Sequence, residues 1–275
     1  VTNLTLFSFV LWLTDSLELS CIAMAAATIA ICVFYDCPRA SRFESIKPVF
    51  NTKTIITTLA TLVPVVIAQA SSSAVLTVPK QYLAASVGSA ALGIYASVAS
   101  PATSVQMGAS YIYSPLLGEF AQRFKTDKKS ALRLFARTTG GIVAVAALFS
   151  ALIILFGKWV LILLYGDQIA DYSYLLGPAV LCTFITAFAW FLNDLLLSLR
   201  DYRASFLGNM IPAIVSLIIT MPLVNFLGMN GVSYVGAVSY MIAVLLLTLF
   251  FVRDCRKLDS AASDDEHPGH EDKPL

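Results

Sequence analysis

The residues able to do chemistry in this chain are polar side chains set among almost wholly apolar neighbours: Gln69, Ser71, Ser72, Ser73, Gln106, Asn193, Asp194 and Asn209, together with the cation Lys80. A polar group at membrane depth costs free energy, so it faces a partner helix or a water-filled cavity. Amides, hydroxyls and one ammonium are equipment for holding a polar solute rather than for making or breaking bonds. No hydrolase elbow, phosphate loop or His/Cys ligand constellation occurs in these blocks, so neither catalysis, cofactor nor metal is expected. Both histidines, His267 and His270, lie in an acidic terminal stretch, where an unfolded segment would not pre-form closed zinc geometry.

Each candidate carries two readings. Gln69 and the Ser71–Ser73 run follow Pro64 in one apolar block. Loosened backbone there suits the lining of an aqueous pathway, and interhelical hydrogen bonding suits it equally. Asp194 is the one acid well inside an apolar block and stands six residues before Arg200. Pairing with that arginine is the first reading, a proton relay the second. Lys80 follows Pro79 at the outer end of a block, where an ammonium can attract a phosphate-bearing headgroup or simply snorkel to the interface.

The elements that would position these groups are membrane helices. Hydrophobic residues make up 58% of the chain and charged ones 13%, too little polar surface to coat a soluble globule of 275 residues. Apolar blocks at about 17–36, 54–78, 86–112, 138–157, 174–198, 205–226 and 231–252 each approach or exceed the ~20 residues that cross a bilayer. The opening run from Leu4 to Leu13 is too short to cross and lacks the basic flank of a signal peptide, so it reads as the end of a helix begun upstream.

Charge distribution tests this count. If 38–53 is cytoplasmic, alternation across seven spans puts Arg123–Arg137, Arg200–Arg203 and Arg253–Lys257 on the same side. Of the 18 Lys and Arg only Lys80 and Lys158 then fall outside, as the positive-inside rule requires. The formal net charge of +1, with no dense basic block, gives no footprint for nucleic acid.

Prolines at 64, 101, 115, 178, 212 and 222 predict kinked helices, and glycines at 88, 93, 140, 141, 208, 228, 231 and 236 predict close packing. The segment 41–53 mixes Phe43, Ile46, Val49 and Phe50 with basic residues, which fits a helix lying in the headgroup plane or a solvated loop. Residues 253–275 read as a disordered acidic cytoplasmic tail. The five cysteines show no paired spacing and read as small apolar fillers.

The run Val78-Pro79-Lys80-Gln81-Tyr82, followed by Gly88 to Pro101 with its Leu92-Gly93-Ile94-Tyr95 core, resembles the polysaccharide flippases of the multidrug/oligosaccharidyl-lipid/polysaccharide superfamily. The resemblance continues through Gly157-Lys158-Trp159, Leu164-Tyr165-Gly166, Tyr174-Leu175-Leu176 and Gly228-Met229-Asn230-Gly231, and so covers about 53–251. Lys80 stands where the family often has Arg, which weakens any bidentate phosphate contact.

The resemblance implies an all-α, polytopic helix bundle built as two six-helix lobes. Residues 54–252 would form the C-terminal lobe, 1–36 the remnant of the other, and 37–53 a cytoplasmic linker between them. It implies an alternating-access flippase of the inner membrane, with its C-terminus cytoplasmic. The cargo would be an undecaprenyl-pyrophosphate-linked oligosaccharide for O-antigen, capsule or exopolysaccharide synthesis. Lys80, Gln69, Gln106, Asn193 and Asp194 are the candidate cavity contacts. Partners would be the lipid-linked oligosaccharide, membrane lipid, a coupling ion (H+ or Na+) and polysaccharide assembly proteins. Two alternatives are a cation-coupled multidrug or metabolite exporter and an inactive, truncated membrane fragment.

Overall fold

The computed structural model describes residues 2–40, 51–126 and 128–265, and in them the chain is entirely helical. Two units separate, Val1–Thr58 and Leu59–Leu275. In the first, α1 (Thr2–Thr14) packs against α2 (Leu17–Ile31). The turn between them is made by Asp15, at φ 47°, and by Ser16, which caps α2 by accepting a hydrogen bond from the Leu19 amide. A wide turn over Cys32–Asp36 leads into α3 (Cys37–Ala40), so the rod continues past the expected linker boundary at 37. The amphipathic stretch proposed for 41–53 lies mostly outside the described residues.

The second unit takes α4 (Thr52–Ser86) from Leu59 onward, then α5 (Ser89–Ala99), α6 (Thr103–Tyr113), α7 (Leu117–Thr126), α8 (Lys128–Tyr165), α9 (Leu176–Ser198), α10 (Tyr202–Leu227) and α11 (Met229–Asp265). Among the described residues, six helices are long and apolar enough to cross a membrane: Leu17–Arg39, Ile55–Ser86, Lys129–Tyr165, Asp167–Ser198, Tyr202–Leu227 and Met229–Arg256. Phe226 is 88% exposed and Leu155 74%. Apolar surface so extensive is stable only when lipid, not water, is the solvent. The chain is a multi-pass membrane protein.

Three expectations need correction. The block at 86–112 is not one span: it breaks at Ser100–Ala102 into α5 and α6. Pro101 has no N–H to continue the ladder, and the chain crosses the break on short-range bonds, Thr103 N–H to Ser100 O at 3.2 Å and Val105 N–H to Ala102 O at 3.1 Å. The basic segment Arg123–Arg137 is not a loop but the end of α7 and the start of α8, because its apolar residues Phe124, Leu134 and Phe135 pack on the core. The tail starts later than 253, since α11 runs to Asp265; Cys255 is still buried, which carries the helix past the apolar block. Residues 266–275, with both histidines, lie outside the described residues.

α9 is the centre of the second unit. Its apolar window is 67% buried, against 44% or less for the other spans. It packs against α6, α7, α8, α10 and α11. Phe191 on α9 anchors an aromatic cluster, with ring centroids 5.4 Å from Tyr113, 6.2 Å from Phe120 and 5.8 Å from Phe135; Phe135 stacks in turn on Phe251 at 4.7 Å. The cluster ties α6, α7, α8 and α11 to one end of α9. Side chains of α4 and α9 meet α11 at Gly236, where an added Cβ would lie 2.6 Å from both Cys182 Sγ and Leu76 Cδ2.

Candidate functional site

Helix α4 sorts the expected site residues by helical phase. Ser71 and Ser72 point inward: the Ser71 hydroxyl lies 3.8 Å from Met210 Sδ, and Tyr240 donates to the Ser72 carbonyl at 2.9 Å. Ser216 on α10 donates to the Val75 carbonyl at 2.9 Å. That carbonyl is the one whose usual partner, the amide of residue 79, is missing because residue 79 is proline. A neighbouring helix thus supplies the donor that lipid cannot. Interhelical bonding is therefore the role of this part of the serine run.

The other face of α4 is polar and outward. Gln69, Ser73 and Thr77 are exposed and Lys80 half-buried. At about 100° per residue these positions fall on one stripe, and Gln69 and Lys80 are about 16 Å apart along the axis. Thr77 satisfies its hydroxyl on the Ser73 carbonyl at 2.9 Å. Among the described residues Gln69 has no hydrogen-bond partner and Lys80 no ion pair. Lys80 lies one turn beyond Leu76, within electrostatic range of Cys182 at the crossing of α4, α9 and α11. Thr77 was missed in the sequence, although the spacing 69, 73, 77, 80 is a 3.6-residue period that a helical projection exposes.

Comparison with known proteins gives no match: no family model, no curated protein and no solved structure.

Asn193 lies in the interior of the second unit. It is 5% exposed, and its Oδ1 accepts from the Ser205 hydroxyl at 2.7 Å and from Asn209 Nδ2 at 2.7 Å. Asn209 also donates to the Ser205 carbonyl at 2.8 Å. This triad joins α9 to α10 in the way small polar residues join helices in lipid. Ser205 was not singled out in the sequence; it is four residues before Asn209 and on its own looks like an ordinary boundary serine.

Asp194 does not pair with Arg200, which corrects the first reading of that acid. Arg200 sits at φ 64° in the turn after α9 and is exposed, so its side chain leaves the helix face that carries Asp194. The half-buried Asp194 carboxylate is met instead by the Tyr113 hydroxyl and the Asn193 amide, the latter at 3.4 Å. At the same end of the bundle Asp201 caps α10, accepting from the Ala204 amide at 3.0 Å, and pairs with Arg253 of α11 at 2.5 Å.

Gln106 is half-buried on α6, the second half of the broken 86–112 block, and among the described residues it has no hydrogen-bond partner. The five expected site residues therefore divide. Asn193 and Asp194 are internal, Gln69 and Lys80 share an outward stripe of α4, and Gln106 stands on α6. Among the described residues no group of His, Cys, Asp and Glu has metal-binding proximity.

Proposed function

We propose that this protein is an alternating-access transporter that moves a lipid-linked oligosaccharide across the cytoplasmic membrane for surface polysaccharide assembly. The observation that carries the reading is the outward polar stripe Gln69–Ser73–Thr77–Lys80 on a helix long and apolar enough to span. A stripe of one amide, two hydroxyls and one cation facing lipid would be unstable; facing an aqueous cavity, it would shelter a sugar and its pyrophosphate while the prenyl tail stays in hydrocarbon. The discontinuity at Pro101 supports the same reading, because interrupted helices in transporters free backbone groups only where they line a cavity or meet protein. With α5 and α6 taken together as one broken crossing, the basic segments gather on one side and the C-terminus is cytoplasmic. The superfamily resemblance of 78–101 supplies the cargo class.

The decisive experiment is translocation of a lipid-linked oligosaccharide in proteoliposomes. Wild-type protein is expected to transport, and Lys80→Ala to reduce the rate about tenfold or more by removing a charge-assisted contact. Unchanged transport in the variant would remove Lys80 from the site. A wild-type protein that moved no lipid-linked sugar but exported an organic cation down a pH gradient would favour the second reading, a cation-coupled exporter. The specific observation behind that alternative is Asp194, a carboxylate held between Tyr113 and Asn193 within the bundle.

A further inference from the structure

Between α6, α7 and the start of α8 lies a cavity of about 490 Å³. Its polar lining is Glu119, Arg123, Arg133, Arg137 and Thr138, with Gly141 and three aliphatic side chains completing the wall. Glu119 is committed to Arg123, four residues on in α7, and Arg123 also donates to Ser130 of α8 at 2.8 Å. That bond clips the two helices together and holds the cavity between them. The remaining guanidiniums, Arg133 and Arg137, stand one turn apart on α8, and among the described residues neither has a carboxylate partner.

Cations crowd the start of α8. Like charges four residues apart repel on a helix surface. They follow Lys128 and Lys129 in the first turns of α8, where the helix dipole favours anions. One further residue points to an occupant. Thr138 is only 2% exposed and its hydroxyl has no hydrogen-bond partner, not even a carbonyl one turn back on its own helix. A buried donor left unmade is destabilising unless a ligand uses it.

We infer that this cavity is a phosphoryl-binding site, in which Arg133 and Arg137 clamp the oxygens of a phosphate or pyrophosphate group and the Thr138 hydroxyl donates to it. Planar guanidiniums match phosphate oxygens bidentately, and a hydroxyl donor deeper in the wall fixes the register. The same chemistry is offered by two sources, the headgroup of a phosphorylated lipid in the adjacent leaflet and a soluble phosphate or pyrophosphate. The site is separate from the polar stripe of α4 and stands whether or not the protein moves lipid-linked sugar.

The full chain is reconstituted in nanodiscs of neutral lipid, and inorganic pyrophosphate binding is measured by calorimetry. A second arm adds a prenyl pyrophosphate lipid and follows it by native mass spectrometry. Binding in the first arm identifies a soluble ligand; binding in the second arm alone identifies a lipid headgroup. In whichever arm binds, the exposed pair Arg133→Gln with Arg137→Gln is expected to abolish it. Thr138→Val, nearly isosteric, is expected to weaken it about tenfold with no loss of thermal stability. No binding in either arm overturns the inference. So does binding that the arginine pair leaves unchanged, and so does a Thr138→Val protein that is more stable yet binds as tightly as wild type.

Discussion

The bond from Ser216 to the Val75 carbonyl makes a quantitative prediction, because its worth depends on Pro79, four residues beyond Val75 on the helix that Ser216 meets. Ser216 is fully buried, and its hydroxyl donates at 2.9 Å to the carbonyl that Pro79 leaves without its usual helical partner. Hydrogen bonds between membrane helices average about 0.6 kcal/mol and reach about 1.7 kcal/mol, the ceiling applying where the acceptor has little alternative. Ser216→Ala is therefore expected to lower stability by about 1.5 kcal/mol. Pro79→Ala returns an amide donor to the Val75 carbonyl, and in that background the same serine substitution should remove only about 0.5 kcal/mol. The coupling across the cycle is then about 1 kcal/mol, well outside the ~0.3–0.5 kcal/mol within which independent sites add. Reversible SDS-induced unfolding of the four proteins in mixed micelles measures it. Equal losses in both backgrounds would refute the reasoning and show that Ser216 does not compensate the proline.

Three further outcomes follow from the packing. Gly231→Ala would place a Cβ 2.5 Å from the Leu223 carbonyl oxygen and 2.6 Å from Val224 Cα, backbone atoms that cannot step aside, so a loss of about 3 kcal/mol is expected as a lowered detergent-phase melting temperature. Gly140→Ala on α8 meets nothing within 4 Å and should stabilise by about 0.5–1 kcal/mol in the same assay. Asn193→Leu should cost about 1–2 kcal/mol by stranding the Ser205 and Asn209 donors, whereas Asn193→Asp, which keeps an acceptor, should lose less; equal losses would mean that packing and not the triad holds α9 to α10.

The helical, membrane-embedded class was legible because it follows from composition and block length, which need no knowledge of neighbours. Polar residues such as Gln69, Asn193 and Asp194 were equally visible, since each breaks an apolar run. Their partners were not. Asp194 looked closest to Arg200 along the chain, but the turn after α9 takes Arg200 away and α6 brings Tyr113 instead. The break at Pro101 was masked by an apolar run that reads straight through it, and the basic stretch 123–137 reads as loop until Phe124 and Phe135 are seen to pack on Phe251.

Taken alone, the sequence determined what each segment could be: apolar lengths set the solvent, and prolines set where a helix must look outside itself for a donor. Only tertiary structure decided which helix answers. Ser216 reaches Val75, Asn209 reaches Asn193, and Arg133 and Arg137 share a cavity with an unpartnered Thr138. The physical reason is range. Hydrophobic partition and backbone sterics act residue by residue along the chain, whereas a hydrogen bond extends about 3 Å and depends on which helices packing has brought together.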